Sequence, residues 1–266
     1  MVTRAAPPDV EIIGILSDLH VAIIDRRTLD LCQQWVRDVK PNRLLLNGDT
    51  FDLGELSRYP KGMNRITLAA DEIREGVKLV NWFAKYVPHI TINYGNHEAR
   101  WEKLIGGDDA RKFEGAIGLT LKEQCSFQGL NPDVRWARES AENPAIRLCA
   151  GVWARHGDKQ SGRFGGAVNI ASNRLNKNQG ESEVVGHHHR AQLMYRSSFD
   201  RTSFVMALPT MARAEDYAPN ADWQRGWAAL TIVRTPKAAL SVQPSLIVPS
   251  AAGVASWGGQ VWRARV

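Results

Sequence analysis

Five short apolar runs along the chain each break off into Asp, His or Asn, and this recurrence constrains the fold more than any other property of the sequence. EIIGILSDLH runs into Asp18 and His20; LLLNGDTFD, residues 44–52, runs into Asn47, Gly48 and Asp49, with Asp52 three residues on. HITINYGNHE reaches Asn96 and His97, RLCAGVWA is followed by His156, and EVVGHHH ends in His187, His188 and His189. Such short apolar runs suit strands buried on both faces. A carboxylate or imidazole at the end of a buried strand needs a partner, and in open α/β sheets the carboxyl ends of the strands border the crevice where ligands sit. Six of the seven histidines fall at or just after these ends; only His89, between Pro88 and a strand, lies elsewhere and reads as an ordinary core or loop residue. Asp49 is the group the five ends would share.

Helical spacing fills the gaps between the first runs. Thr28 to Val39 carries Leu29, Leu31, Cys32, Trp35, Val36 and Val39 before Lys40-Pro41 stops it, giving a β-α-β unit with a parallel, right-handed crossover by default. Ile66 to Tyr86 and most of Trp101 to Gln124 are helical in pattern, the latter broken at Gly106-Gly107. Ala145 to Ala154 reads as one strand and Phe164 to Lys177 as a helix. Beyond the histidines, Gln192–Phe199, Thr202–Leu208, Trp227–Arg234 and Ala239–Val248 are rich in β-type segments. The expectation is a single domain over residues 1–266, with the histidine and carboxylate motifs within 15–189 and the strands of 192–248 building a second sheet packed on the first. In extended backbone Asp18 and His20 point to one side and can reach one ion; the same alternation aims His187 and His189 together and turns His188 elsewhere.

The net charge of +6 and the pI of about 9.4 favour anionic partners. Between Arg155 and Arg201 there are eight Lys or Arg against four Asp or Glu, either a track for a polyanionic substrate or a solvated basic face. Cys32, Cys125 and Cys149 lack any Cys-x-x-Cys spacing and read as reduced, buried packing residues. The N-terminus has no apolar h-region and no run of about 18 apolar residues occurs, so a cytoplasmic protein with no membrane partner is expected.

Taken together, SDLH, NGDTFD, YGNHEAR, the histidine of RHGD and GHHH resemble, in order, the motifs of the calcineurin-like metallophosphoesterase superfamily. Small bacterial or phage-type members are the nearest in pattern. The resemblance implies an α/β fold, a four-layer αββα sandwich of two mixed sheets flanked by helices, with two divalent metals at the strand ends. Carried over position by position, one metal would take Asp18, His20, Asp49 and His189; the other would take Asp49, Asn96, His156 and His187, with Asp49 bridging. Mixed imidazole, carboxylate and amide donors suit Mn²⁺, Fe or Zn²⁺ better than a purely oxygen-seeking Ca²⁺ site; Mn²⁺ is the first expectation, with Fe, Zn²⁺ or Mg²⁺ as alternatives.

The implied reaction is hydrolysis of a phosphate ester by a metal-bridging hydroxide, with His97 protonating the leaving group and Asp52 orienting His97. Asp52 can also be read as a helix N-cap. Arg100 and Asn96 are candidates for substrate contact, though Arg100 also fits a surface arginine. Asp52 stands where purple acid phosphatases carry a tyrosine ligand, and Leu53 where Ser/Thr protein phosphatases carry an arginine, so neither subfamily fits. The basic excess makes a phosphodiester, DNA or RNA included, the first expectation for substrate. A phosphomonoesterase acting on a nucleotide, sugar phosphate or phosphoprotein is the alternative, and a scaffold that has lost catalysis the third.

Overall fold

The structure, a computed structural model, describes residues 9–57, 67–106, 120–137, 145–158, 180–197, 202–213, 222–234 and 240–265. Its first sheet is built by strands β1 (Asp9–Leu16), β2 (Arg43–Asn47), β3 (His89–Asn93) and β4 (Arg135–Trp136), all parallel. The second holds β5 (Ile146–Cys149), β6 (Val152–Arg155), β7 (Ser182–Val185), β8 (Gln192–Ser197) and β9 (Thr202–Ala207) in the order β5-β6-β7-β9-β8. Strands β10 (Trp227–Arg234) and β11 (Leu240–Ile247) return to the first sheet, β10 lying antiparallel to β1 and β11 to β10. Two large mixed sheets and helices thus make a mixed α/β architecture.

Strand alternation sorts the core into two faces of the first sheet. Ile13, Ile15 and Leu45 turn inward to meet Leu148, Ala154, Val184, Phe204 and Met206 of the second sheet. Their neighbours Leu16, Leu44 and Leu46 turn outward under α1 (Arg26–Val39) and α2 (Ala69–Ala84), which contribute Trp35, Val36, Val80 and Phe83. Burial of each such aliphatic side chain contributes about 1.5–3 kcal/mol. Gly14 allows the close approach of α1, since a Cβ there would meet Leu44 Cδ1 at 2.9 Å and the Trp35 ring at 3.0 Å. Helix α1 starts two residues earlier than its apolar spacing indicates because Asp25 caps it, accepting from the Thr28 amide at 2.8 Å. Helices α3 (Glu98–Ile105) and α4 (Leu121–Phe127) follow β3.

Several sequence expectations are corrected. Residues 145–154 form two antiparallel strands, β5 and β6, rather than one, because Gly151 at φ 72° turns the chain. Of the segments between 192 and 248, only β8 and β9 join the second sheet; β10 pairs β1 over seven residue pairs from Asp9↔Arg234 to Ile15↔Ala228. An apolar run buried on both faces fits either sheet, and only the non-local pairing decides. Cys149 is half-buried, unlike Cys32 and Cys125. The helix expected at Phe164–Lys177 lies outside the described residues. Trp257 and Trp262, which the sequence pattern leaves without a role, belong to the hairpin of β12 (Val254–Trp257) and β13 (Gln260–Arg263). Trp257 meets the Trp35 ring at 5.9 Å, Trp262 is buried and its Nε1 donates to Asp38 Oδ2 at 3.0 Å, so the hairpin clasps α1.

Candidate metal centre

The carboxyl ends of β1, β2 and β3 in the first sheet and of β6 and β7 in the second open toward one another. Asn47 holds this edge together: its side-chain amide donates to the Arg155 carbonyl at 2.8 Å, and its Oδ1 accepts from Asn93 at 3.2 Å. Past the strands, the loop after β1 is hydrogen-bonded to the loop after β2, the Asp18 amide to the Gly48 carbonyl at 3.1 Å and the His20 amide to the Asp49 carbonyl at 3.0 Å.

Seven described non-glycine residues have positive φ, and five are Asp18 (53°), His20 (41°), Asp49 (51°), His187 (68°) and His189 (58°). Left-handed backbone costs such residues about 1–2 kcal/mol each, so surrounding contacts must hold them there. Strand alternation therefore does not aim these side chains. Asp18 and His20 lie beyond the end of β1, and the histidine triplet beyond β7; in each case two left-handed residues bring alternate side chains to the same side. His188 is turned away, its Nδ1 and Nε2 outside the groups that converge.

One ligand atom each from Asp18, Asp49, His156 and His187 forms one group close enough to hold an ion; Asp18, His20 and His189 form a second, and His20, Asp52 and His97 a third. Every histidine and carboxylate assigned from the motifs thus falls in one of these groups, with Asp18 and His20 each common to two, whereas Asp49, the expected bridge, belongs to the first alone. Asp49 Oδ2 lies 3.2 Å from His156 Nε2, 3.8 Å from His97 Nε2 and 3.9 Å from His20 Nε2. Asn96 Oδ1 is 3.1 Å from His156 Nε2.

The tautomers suit a cation. His156 Nδ1 donates to the Asn47 carbonyl at 3.0 Å, which in the neutral ring leaves the Nε2 lone pair facing two oxygens, those of Asp49 and Asn96. His20 Nδ1 donates to Asp52 Oδ1 at 3.1 Å, leaving Nε2 buried without a hydrogen-bond partner among the described residues, as is His189 Nδ1. Lone pairs and carboxylates converging in a buried site repel one another unless a positive charge lies between them. Burial opposes a charged His156, yet Asp49 and Asp18 outweigh it and push its pKa up to about 10. Burial also disfavours ionised Asp18 and Asp49, but the histidines around them, His189 and His156 foremost, hold both carboxyls below the usual range. Burial first, then His97 for His20 and His156 for His187, keeps those two imidazoles below their ordinary pKa and so neutral, the form that binds metal.

Asp52 serves two histidines. Its Oδ1 accepts from His20 and lies 3.3 Å from His97 Nδ1, which donates to the Asp52 carbonyl at 2.6 Å. It is not a helix cap: the turn it enters, Gly54–Leu56, has no side-chain cap. Arg100 is turned onto this pair, Nη1 donating to the Asp52 carbonyl at 2.7 Å and Nη2 to His97 Nε2 at 3.0 Å. Burial lowers the His97 pKa and Arg100 adds to that, but Asp49 and Asp52 raise it above its ordinary value.

Two buried glutamates, not singled out by the sequence pattern, hold the backbone of the centre. Glu98 accepts from the amides of Asp49 (2.9 Å), Gly95 (2.8 Å) and Phe51 (3.1 Å). Glu72 of α2 accepts from the Asp52 amide and from that of Leu53 at 2.9 Å; burial and then Asp52 push its pKa up to about 7. For Glu98 the available signal is its place inside YGNHEAR, directly after His97, whereas Glu72 carries no local signal on a helix otherwise read from its apolar spacing. Gly95 must be glycine, because a Cβ would overlap Asp49. Above the centre is a cavity of about 240 Å³ lined by His20, Asp49, Asp52, Asn96, His97, His187 and His189 with two apolar residues, Ile23 and Trp223.

The family model described as calcineurin-like phosphoesterase matches residues 12–228. No curated protein matches the sequence. Among solved structures, the chain is similar to Vps29 from Chaetomium thermophilum, at 10% identity and a TM-score of 0.39 over 89% of this chain and 97% of that one. It is similar to a dimetal phosphatase from Danio rerio, at 10% identity and 0.41 over 90% and 99%. A third similar structure is purple acid phosphatase PPD1 from yellow lupin seeds, at 10% identity and 0.44 over 94% of this chain and 56% of that one.

Proposed function

The chain belongs to the calcineurin-like phosphoesterase family, and from that premise we propose that it hydrolyses phosphodiesters, nucleic acid or its fragments first among them, at a centre of two divalent cations. Metal-dependent phosphoester hydrolysis follows from the family. The observation that carries the metal assignment is the meeting of Asp18, Asp49, His156 and His187 with Asp18, His20 and His189 across the edge of both sheets. One cation would be held by Asp18, His20, Asp49 and His189, and the other by Asp49, Asn96, His156 and His187. The donor mixture of carboxylate, imidazole and amide favours Mn²⁺, with Fe, Zn²⁺ and Mg²⁺ as the ions to compare.

Bound there, two divalent cations supply the charge that offsets the phosphoryl oxygens and makes water a nucleophile near neutral pH. The protein's own part is orientation and proton transfer. His97, with Nδ1 fixed by the Asp52 carbonyl, presents Nε2 toward the cavity and delivers a proton to the leaving alkoxide. Arg100 occupies that nitrogen in the structure, so substrate entry requires its guanidinium to give up His97 and turn to a phosphoryl oxygen. Asp52 sets the rings of both His20 and His97.

The choice of diester is supported by the +6 net charge and the eight-to-four basic excess over residues 155–201, much of which falls outside the described residues. With Mn²⁺, bis-p-nitrophenyl phosphate is expected to turn over faster than p-nitrophenyl phosphate. The opposite ranking makes the protein a monoesterase, and hydrolysis of neither by any of the four metals, with metal bound, makes it a scaffold.

A further inference from the structure

Of the nine residues lining the cavity above the centre, seven are His, Asp or Asn and are accounted for by metal, proton transfer or orientation; Ile23 and Trp223 are not. A phosphoryl group held at the metal centre would lie on the polar side. The organic part of the ester must then meet the apolar side, where Trp223 offers the larger surface. Trp223 does not hang loosely there. Its ring stands 4.1 Å from that of His189 at 82°, and the residues on either side of it are fastened to the chain after β7. Arg190 Nε donates to Asp222 Oδ1 at 2.9 Å, the Gln224 amide to the His189 carbonyl at 2.8 Å, and the Ala191 amide to Gln224 Oε1 at 2.6 Å. The indole is half-buried and lines the cavity, a wall fixed by these contacts. Fixing an aromatic surface in advance removes the ordering cost that a mobile side chain pays on binding.

Resting on the phosphoesterase reading, we propose that Trp223 is a specificity-determining residue that stacks on the organic group of the substrate, so that the site prefers phosphoesters bearing a flat aromatic group, a nucleobase or an aryl ring, over alkyl and sugar phosphates. A nucleoside monophosphate, the product that cleavage of a nucleic-acid diester leaves behind, carries such a group next to its phosphate.

The test is calorimetric binding to the Mn²⁺-loaded full chain, with AMP, ribose 5-phosphate and inorganic phosphate as probes, for wild type, Trp223→Ala and Trp223→Phe. Base stacking on an aromatic side chain gives about a tenfold preference or more for AMP over ribose 5-phosphate in the wild type. Trp223→Ala brings that ratio close to one, Trp223→Phe keeps part of it, and the affinity for inorganic phosphate and the bound metal change far less. A wild type without the preference, a ratio that survives Trp223→Ala, or an equal loss of all three probes together with metal would each overturn the proposal, the last because Trp223 would then only buttress His189. Turnover is not needed for this reading: an AMP preference in a protein that hydrolyses no ester would sink the hydrolase assignment and leave the stacking role intact.

Discussion

In the proposed reaction proton transfer falls to His97, and its environment is set by opposing neighbours. Asp49 and Asp52 raise its pKa while burial and Arg100 lower it. If protonated His97 serves the leaving group, activity falls as pH rises through that pKa. In the free enzyme Arg100 places a positive charge 3.0 Å from Nε2, so Arg100→Ala raises the pKa there and the alkaline limb of the kcat/KM profile should move to higher pH. An unmoved limb would show that another group supplies the proton. The identities at this scale were legible in the sequence because Asp18, His20, Asp49, Asn96, His97, His156, His187 and His189 recur at the ends of apolar runs. Their backbone was not. Local spacing suggests extended chain at Asp18 and His187, but the left-handed turns are held by distant groups, as where the Asp18 side chain accepts from the His187 amide at 3.0 Å.

Elements were legible where their pattern is local and illegible where pairing decides. Strands β1, β2, β3 and β7 and helices α1 and α2 follow from period and stops; the sheet to which β10 belongs does not, because Ala228, Leu230 and Ile232 face one core and Trp227 and Ala229 the other. The β12–β13 hairpin shows the same limit. Gly258 and Gly259, at φ 57° and 79°, make the tight turn, but nothing near them in sequence names α1 as the partner. Besides the Trp262 bond to Asp38, Gln34 donates to the Arg263 carbonyl at 2.9 Å and the Arg265 amide to Asp30 at 2.8 Å. Trp262 is 4% exposed, so Trp262→Ala combines an emptied site with a lost hydrogen bond. It should cost about 3–5 kcal/mol, read as a lower urea midpoint with the slope little changed. A loss below 1 kcal/mol would mean that the hairpin is an appendage to α1 and not part of its core.

At the scale of the molecule, the centre joins two sheets that otherwise meet mainly through apolar side chains. Asp18, His20, Asp49 and Asn96 come from the first sheet's edge, His156, His187 and His189 from the second's, so a cation bound between them would link the layers. In its absence a proton takes part of that role, since Asp49 and Asp18 push His156 up to about 10. Metal must displace that proton. Binding of Mn²⁺ between pH 7 and 8, above the ordinary histidine pKa and below the raised one, should release about one proton per protein from His156. Apparent affinity should then rise roughly tenfold per pH unit up to about 10, where His156 is already neutral. Calorimetry in buffers of different ionisation enthalpy counts the released proton directly. Asp49→Asn removes the largest influence raising that pKa, so whatever metal the variant retains should bind with little proton release. Because ligand that binds only the folded state stabilises it by mass action, the thermal midpoint of the wild type should climb with Mn²⁺ concentration, and climb further at pH 8 than at pH 6. A metal-induced shift identical at the two pH values would mean that no proton is held where the cation goes, and that the sheets are joined elsewhere.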